Sequence, residues 1–129
     1  MAGELILIVE DNERNAKLVR DVLLVTGYRV AHSVTAEEGL EIAQRDKPDL
    51  VLMDIQLPGM NGTTALKHLK ADARTRDIPV IAVTASVMPM ERKEILAAGF
   101  DGYQAKPISV KDLMAEVKAL LARKQAQLA

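Results

Sequence analysis

The stretch Asp49-Leu-Val-Leu-Met-Asp54, followed by the turn Gln56-Leu-Pro-Gly-Met-Asn-Gly62, decides how this chain folds. Its first part is an apolar run of strand length that ends in a carboxylate. The proline and glycines of the turn cannot continue a strand, so the run stops at Asp54. Near-continuous apolar strands are typical of a sheet that is covered on both faces. We therefore expect a buried strand with Asp54 at its carboxyl end.

Three other apolar runs also end in polar residues. They are Leu5–Val9 before Glu10 and Asp11, Val80–Val83 before Thr84, and Gly102–Ala105 before Lys106. With a short run at 28–32, the chain has five predicted strands that alternate with five stretches of helical period. Such alternation predicts right-handed crossovers, a parallel sheet and helices on both of its faces.

Several helix ends carry local signals. Thr35-Ala-Glu-Glu38 has the form of a capping box, and Gly27 follows the first helix as a left-handed terminating residue. Another helix is predicted from Met88 or Pro89 to Ala98. In the last helix, Ser109 is the expected cap, and the apolar positions predict one buried stripe: Val110, Leu113, Met114, Val117, Leu120 and Leu121.

The size and composition fit one ordinary globular domain. The chain has 129 residues, 49% hydrophobic and 27% charged, with a net charge of −1 and a pI near 6.1. We expect a single domain over 1–129, with a core at about 4–123, a frayed tail at 124–129 and no output domain. The charge balance gives no reason to expect nucleic-acid binding.

The absence of cysteine rules out disulfides and thiolate zinc sites, and it fits a reducing compartment. The longest apolar run, Leu5–Val9, is far too short to span a bilayer, and the N-terminus lacks the basic region of a signal peptide. We therefore expect a cytoplasmic protein without membrane insertion.

The polar residues after the strands should form one site, because ligands bind beyond the carboxyl ends of parallel strands. Magnesium prefers hard oxygen ligands and usually takes one or two carboxylates. The expected ligands are Asp11 and Asp54 through carboxylate oxygens, Gln56 through its backbone carbonyl, and Glu10 through a water. Manganese is an alternative ion.

The same residues can support phosphoryl transfer. An ionised Asp54 is a competent nucleophile toward phosphorus. Lys106 and the Thr84 hydroxyl could neutralise the oxygens of the transferred group, together with the metal. Lys106 and the metal should also keep Asp54 ionised at neutral pH.

Each of these residues also has an ordinary structural interpretation. Glu10 and Asp11 could be turn formers, Thr84 a helix cap, and Lys106 a solvated loop residue. Their coincidence at the ends of four strands favours a functional site, because the structural interpretations are independent of one another.

Taken together, these residues resemble a response-regulator receiver domain over almost the whole sequence. The resemblance lies in Glu10-Asp11, Asp54, Thr84 followed by Ala85, and Lys106-Pro107. It implies a flavodoxin-like, doubly wound sheet with strand order 2-1-3-4-5, with Asp54 as the phosphoacceptor. It also implies that Thr84 and Tyr103 act as switch residues and that Pro107 follows a cis peptide bond.

Within that family, the Glu-Asp-Asn opening, the Met-Asp-Ile-Gln-Leu-Pro segment and the Lys-Pro-Ile-Ser ending are most similar to DivK-type single-domain regulators. The implied function is to accept a phosphoryl group from a histidine kinase or a histidine phosphotransfer protein. The modified protein would then present an altered surface to a downstream protein in cell-cycle or division control. Receivers of hybrid kinases share part of this wording, so a phosphorelay intermediate is an alternative.

Two partner surfaces are expected. The resemblance implies that the donor would meet Asn15, Leu18, Pro107 and Ile108 near the site entrance. Met88 and Met90 could contribute an adaptable docking surface, although core packing explains them equally well. We expect a monomer.

Two other classes of function share parts of this pattern. A haloacid-dehalogenase-type phosphatase places a second Asp two residues after its nucleophile, where this chain has Gln56. A flavin carrier with the same sheet needs a phosphate loop after the first strand, where the acidic Glu10-Asp-Asn-Glu13 segment would repel phosphate. We therefore expect a signalling phosphoacceptor that assists its own phosphorylation and dephosphorylation, and not a turnover enzyme.

Overall fold

The computed structural model describes residues 3–57, 59–85 and 89–128, with the backbone alone described at 89–92 and 125–128. Within these ranges, strands and helices alternate along the chain. They are β1 Leu5–Val9, α1 Glu13–Thr26, β2 Arg29–Ser33, α2 Ala36–Asp46, β3 Leu50–Asp54, α3 Gly62–Ala71, β4 Val80–Thr84, α4 Pro89–Ala97, β5 Gly102–Ala105 and α5 Val110–Leu128.

The five strands form one parallel sheet in the order β2-β1-β3-β4-β5, which confirms the predicted fold class. Every residue of β3 is buried, as the unbroken apolar run predicts for a central strand. One core layer packs residues of α2, α3 and α4 against the sheet, and the other packs α1 and α5 against the opposite face. The carboxyl ends of the strands therefore lie between two layers of helices.

Local side-chain chemistry sets the helix starts. The Thr35 hydroxyl accepts a hydrogen bond from the Glu38 N–H at 3.1 Å, which confirms the predicted cap of α2. Asn12 and Asn61 cap α1 and α3 in the same manner. Helix α1 ends at Gly27 with φ of 108°, a left-handed conformation that glycine adopts without steric cost.

The last helix differs from its prediction at both ends. Val110 is 40% exposed, whereas Leu113, Val117, Leu120 and Leu121 are buried. The first turn of α5 follows the carboxyl edge of the sheet, so no strand lies beneath Val110. At its other end, α5 continues to Leu128, past the point where the sequence predicts a frayed tail.

The extension of α5 has a local explanation. The segment after Leu121 contains neither glycine nor proline, and Lys124 Nζ lies 3.9 Å from Asp49 Oδ1, which ties this part of the helix to the domain. In the described part of the chain, no helix combines the length and the apolar character needed to cross a membrane.

Candidate functional site

The register of the sheet brings the polar strand ends together. Val9 pairs with Met53, Asp54 with Val83, and Thr84 with Ala105. Glu10 and Lys106 each follow the last residue of their strand, so the end of β3 lies between them. The Lys106 N–H donates to the Thr84 carbonyl at 2.8 Å, which extends the ladder one residue beyond β5.

Lys106 connects two buried carboxylates. Its Nζ lies 3.0 Å from Asp54 Oδ2 and 3.0 Å from Glu10 Oε1. The carboxylate-bearing side chains are almost fully enclosed, with 3% of Asp54 and 6% of Glu10 exposed, while 22% of Lys106 is exposed. The remaining oxygens are also occupied: Asp54 Oδ1 accepts from the Gln56 N–H at 2.9 Å, and Glu10 Oε2 accepts from the Asn12 N–H at 3.2 Å.

The two carboxyl groups differ in acidity. Burial raises the pKa of Glu10 to about 7, assisted by its hydrogen bond to Asp54 and opposed by Lys106. Burial also acts to raise the pKa of Asp54, but hydrogen bonds from Glu10, Lys106 and the Gln56 N–H outweigh it and lower that pKa below its usual value. Asp54 is therefore the carboxylate that stays ionised at neutral pH.

The acid group fits a divalent cation. Glu10, Asp11 and Asp54 each offer an oxygen, and these oxygens lie within 4.8 Å of one another. Asp11 is the exposed member, at the solvent side of the two buried acids. Three carboxyl groups, which offer hard oxygen ligands, surround a single ammonium group. This excess of acidic groups suits a small divalent ion such as magnesium. Asp54, Asp11 and Glu10 are thus brought together, and Gln56 lies two residues after the end of β3, where its N–H donates to Asp54.

Thr84 lies at the far side of the site. It is 4% exposed and borders a cavity of about 360 Å³ between β4 and α4, which Gln56, Glu94 and Ile95 also line. Tyr103 is half-buried on β5 and packs against the core layer that includes Ile95. The Lys106–Pro107 peptide bond is cis.

The residues of the predicted donor surface lie on α1 and the β5–α5 connection. Leu18 is 47% exposed, Asn15 is half-buried, and Ile108 is half-buried against the core layer of α1 and α5. Met88 lies outside the described residues, as does the side chain of Met90.

Two features of the site were missed in the sequence. Glu10 contacts Lys106 directly, although only a water-mediated role at the metal was predicted for it. A Cβ on Gly62 would lie 2.7 Å from the Asp54 carbonyl oxygen and 2.8 Å from Ile55 Cα, so only glycine lets α3 begin against β3. In the sequence, only the Asn61-Gly62 pair indicates this close contact between α3 and β3, and the same pair is equally typical of a simple turn.

Comparison with known sequences identifies a family for most of the chain. The profile of the response regulator receiver domain matches residues 6–118. The polar-differentiation response regulator DivK of Brucella anthropi is 44% identical over 116 residues, which cover 90% of this chain and 94% of that protein.

Solved structures show the same fold. A CheY-like response regulator receiver domain protein from Methanospirillum hungatei JF-1 superposes with a TM-score of 0.88 at 30% identity, covering 98% of this chain and 99% of the other. The receiver domain of the sensor histidine kinase PA1611 from Pseudomonas aeruginosa PAO1 gives a TM-score of 0.86 at 33% identity, covering 94% and 99%. That structure has a magnesium ion coordinated in its active site cleft.

Proposed function

Because this chain belongs to the response regulator receiver domain family, we propose that Asp54 accepts a phosphoryl group from a histidine kinase or a histidine phosphotransfer protein. One observation carries the proposal. Asp54 is an enclosed, ionised carboxylate that ends β3 with Lys106 Nζ at 3.0 Å and two further acids within 4.8 Å. Such a group is preorganised for one phosphoryl group.

The transfer is a displacement at phosphorus. A carboxylate oxygen of Asp54 forms the new O–P bond while the N–P bond to the donor histidine breaks, and the histidine nitrogen keeps the electron pair. Lys106 must loosen its contact with Asp54 Oδ2 and then pair with a phosphoryl oxygen. The Thr84 hydroxyl donates to another oxygen.

Magnesium would be held by Asp11, Asp54 and the Gln56 carbonyl, with Glu10 acting through water, and manganese is an alternative ion. The ion supplies charge neutralisation for the incoming oxygens. The carboxylates need such a counter-charge, because a phosphoryl group adds negative charge to a site that already contains three acids.

Phosphorylation changes the surface beside the site. Thr84 moves toward the phosphoryl group, and Tyr103 turns inward into the space that Thr84 vacates. The surface of α4, β5 and α5 then differs between the two states. A downstream protein reads that difference.

The cellular role is proposed from the relative at 44% identity, whose name is the polar-differentiation response regulator DivK. We assign this chain to cell-cycle or division control in the cytoplasm. We propose that this receiver domain works as a monomer through protein contacts, without nucleic acid or membrane insertion.

A second candidate is a phosphorelay intermediate of a hybrid kinase, which the similarity to the receiver of the sensor histidine kinase PA1611 supports. The two roles differ in the step after phosphorylation. An intermediate returns its phosphoryl group to a phosphotransfer protein, whereas a single-domain regulator binds its target while modified. Rapid transfer from phosphorylated protein to a phosphotransfer protein, without target binding, would favour the intermediate.

Turnover as an aspartate-nucleophile phosphatase is disfavoured. Gln56 occupies the place of the general acid that such an enzyme carries two residues after its nucleophile. The chain instead acts as a phosphoacceptor that assists both its own phosphorylation and its own dephosphorylation. Steady release of phosphate from small monoesters would contradict this assignment.

The direct test is incubation with a small phosphodonor and magnesium, followed by intact mass analysis. Wild type should gain one acid-stable, base-labile phosphoryl group, and Asp54→Asn should gain none. Asp46→Asn, which alters an exposed carboxylate on α2, is the matched control and should react as wild type does. Labelling of Asp54→Asn to the wild-type extent would refute the proposal.

The entrance surface has its own test. Leu18→Ala with Ile108→Ala should slow transfer from a histidine phosphotransfer protein while leaving labelling by a small phosphodonor unchanged. Val25→Ala removes the most exposed apolar side chain of α1, at 89%, and serves as the control.

Met88→Ala with Met90→Ala should weaken binding of the downstream protein, and unchanged binding in both phosphorylation states would exclude that surface.

A further inference from the structure

A second depression, separate from the acid group, lies between α1 and the carboxyl end of β2. It has a volume of about 270 Å³. Its lining consists of charged or titratable side chains: Glu13, Arg14, Lys17, Arg20 and His32. None of these residues takes part in the phosphoacceptor chemistry of Asp54.

The charges in this pocket are unbalanced. Arg14, Lys17 and Arg20 follow one another at intervals of three residues, so they lie along one side of α1. Lys17 pairs with Asp21 at 2.6 Å, but within the described ranges neither Arg14 nor Arg20 forms an ion pair. Glu13 is the one acid in the lining. The pocket therefore attracts anions.

His32 forms a fixed, half-buried part of the lining. Its Nε2 lies 2.9 Å from the Glu10 carbonyl oxygen, and because a carbonyl can only accept, Nε2 carries the hydrogen and donates. This hydrogen bond holds the ring in place. A flat protein surface would reach the exposed Arg14 more readily than the half-buried Arg20 and His32, so the concave shape favours a small ligand.

We propose that this pocket binds a phosphate monoester of a small hydroxyl-bearing compound. Guanidinium groups match phosphate oxygens in paired hydrogen bonds, which two unpaired arginines on one helix face can supply. Glu13 accepts a hydroxyl of the same ligand. The lining contains no Tyr, Phe or Trp to stack on a nucleobase, so a sugar phosphate fits better than a nucleotide.

The test is a titration with ribose 5-phosphate in the absence of magnesium. Binding is measured from the NMR chemical shifts of the backbone amides and of the His32 imidazole. Saturable shifts should appear at 13–20 and at His32, with a Kd of about 1 mM or tighter. Arg14→Gln with Arg20→Gln should weaken binding at least tenfold. The control, Arg45→Gln with Arg74→Gln, removes the same formal charge from exposed ion pairs on other elements and should leave the affinity unchanged.

Three results would each overturn the proposal. The chemical shifts could fail to saturate, the control Arg45→Gln with Arg74→Gln could lose as much affinity as the test variant, or inorganic phosphate could bind as tightly as ribose 5-phosphate. Sedimentation with phosphatidylglycerol vesicles that ribose 5-phosphate cannot prevent would assign the pocket to a lipid surface instead. Asp54→Asn should bind the probe as wild type does, so this test is independent of phosphoryl acceptance.

Discussion

Lys106 forms ion pairs with two enclosed carboxylates at once, and this residue dominates the electrostatics of the site. Both contacts are 3.0 Å, and they hold the pKa of the lysine above its usual value although burial acts to lower it. The ammonium therefore remains charged at neutral pH, where Asp54 is ionised. Its removal would leave buried charge without a partner.

We predict that Lys106→Met lowers the free energy of unfolding by about 2 kcal/mol at neutral pH, less than the roughly 3–5 kcal/mol of fully buried pairs because the ammonium reaches solvent. Magnesium should restore part of the loss by replacing the missing charge. Urea denaturation with and without the ion measures both. Lys17→Met, which breaks an exposed pair, should lower the free energy of unfolding far less than Lys106→Met does.

Asp72 makes a pH-dependent contribution at the end of α3. Hydrogen bonds from the Arg74 side chain and N–H lower the pKa of Asp72 to about 2. A lowered pKa stabilises the fold above the unfolded value near 4, and the contribution is lost as pH falls toward 2.

Asp72→Asn should therefore melt below wild type at pH 7, and the difference should shrink between pH 4 and pH 2. Thermal melts across that range give the answer. Asp77→Asn, which changes a neighbouring loop carboxylate, is the control. A constant difference between Asp72→Asn and wild type over the whole range would contradict the role of ionisation.

At the level of elements, the contact between α3 and β3 depends on Gly62. An added Cβ would meet backbone atoms, which cannot move aside as a flexible side chain can. We predict that Gly62→Ala costs about 1–3 kcal/mol despite the better helix propensity of alanine, because the helix must shift from the strand.

The shift should also reduce phosphoryl acceptance, because it displaces the Asp54–Ile55 backbone. Urea denaturation and intact mass analysis measure the two effects. Thr64→Ala, at an exposed position of the same helix, should leave both within experimental scatter. Wild-type behaviour of Gly62→Ala would show that α3 adjusts freely.

The strands and most helices could be predicted because their signals are local. The apolar run of β3 and the Thr35–Glu38 cap depend on neighbouring residues alone, and both are confirmed. The exposure of Val110 depends on what lies beneath the helix, so periodicity alone misjudged it. The direct contact between Glu10 and Lys106 joins residues far apart in sequence, and no local pattern reports its distance.

At the level of the whole molecule, ligand binding should appear as stability. If magnesium binds only to the folded protein, the free energy of unfolding rises by about 2.7 kcal/mol when the free ion is at a hundred times its Kd. We predict a magnesium-dependent rise in melting temperature that Asp11→Asn largely removes. Glu41→Gln, on the exposed side of α2, should keep the rise. An equal rise in Asp11→Asn would exclude Asp11 as a ligand.

The two glycines that admit helices to the sheet have a mechanical consequence. An added Cβ on Gly39 would lie 2.8 Å from Val9 Cγ2, so α2 and α3 are both seated without slack against the strands that lead to the acids. On the side of β4 and α4, the hollow beside Thr84 leaves room for movement. The tight packing of α2 and α3 leaves them little room to move, whereas the cavity beside Thr84 leaves room near α4. We therefore expect a displacement that begins at Asp54 to be transmitted toward α4.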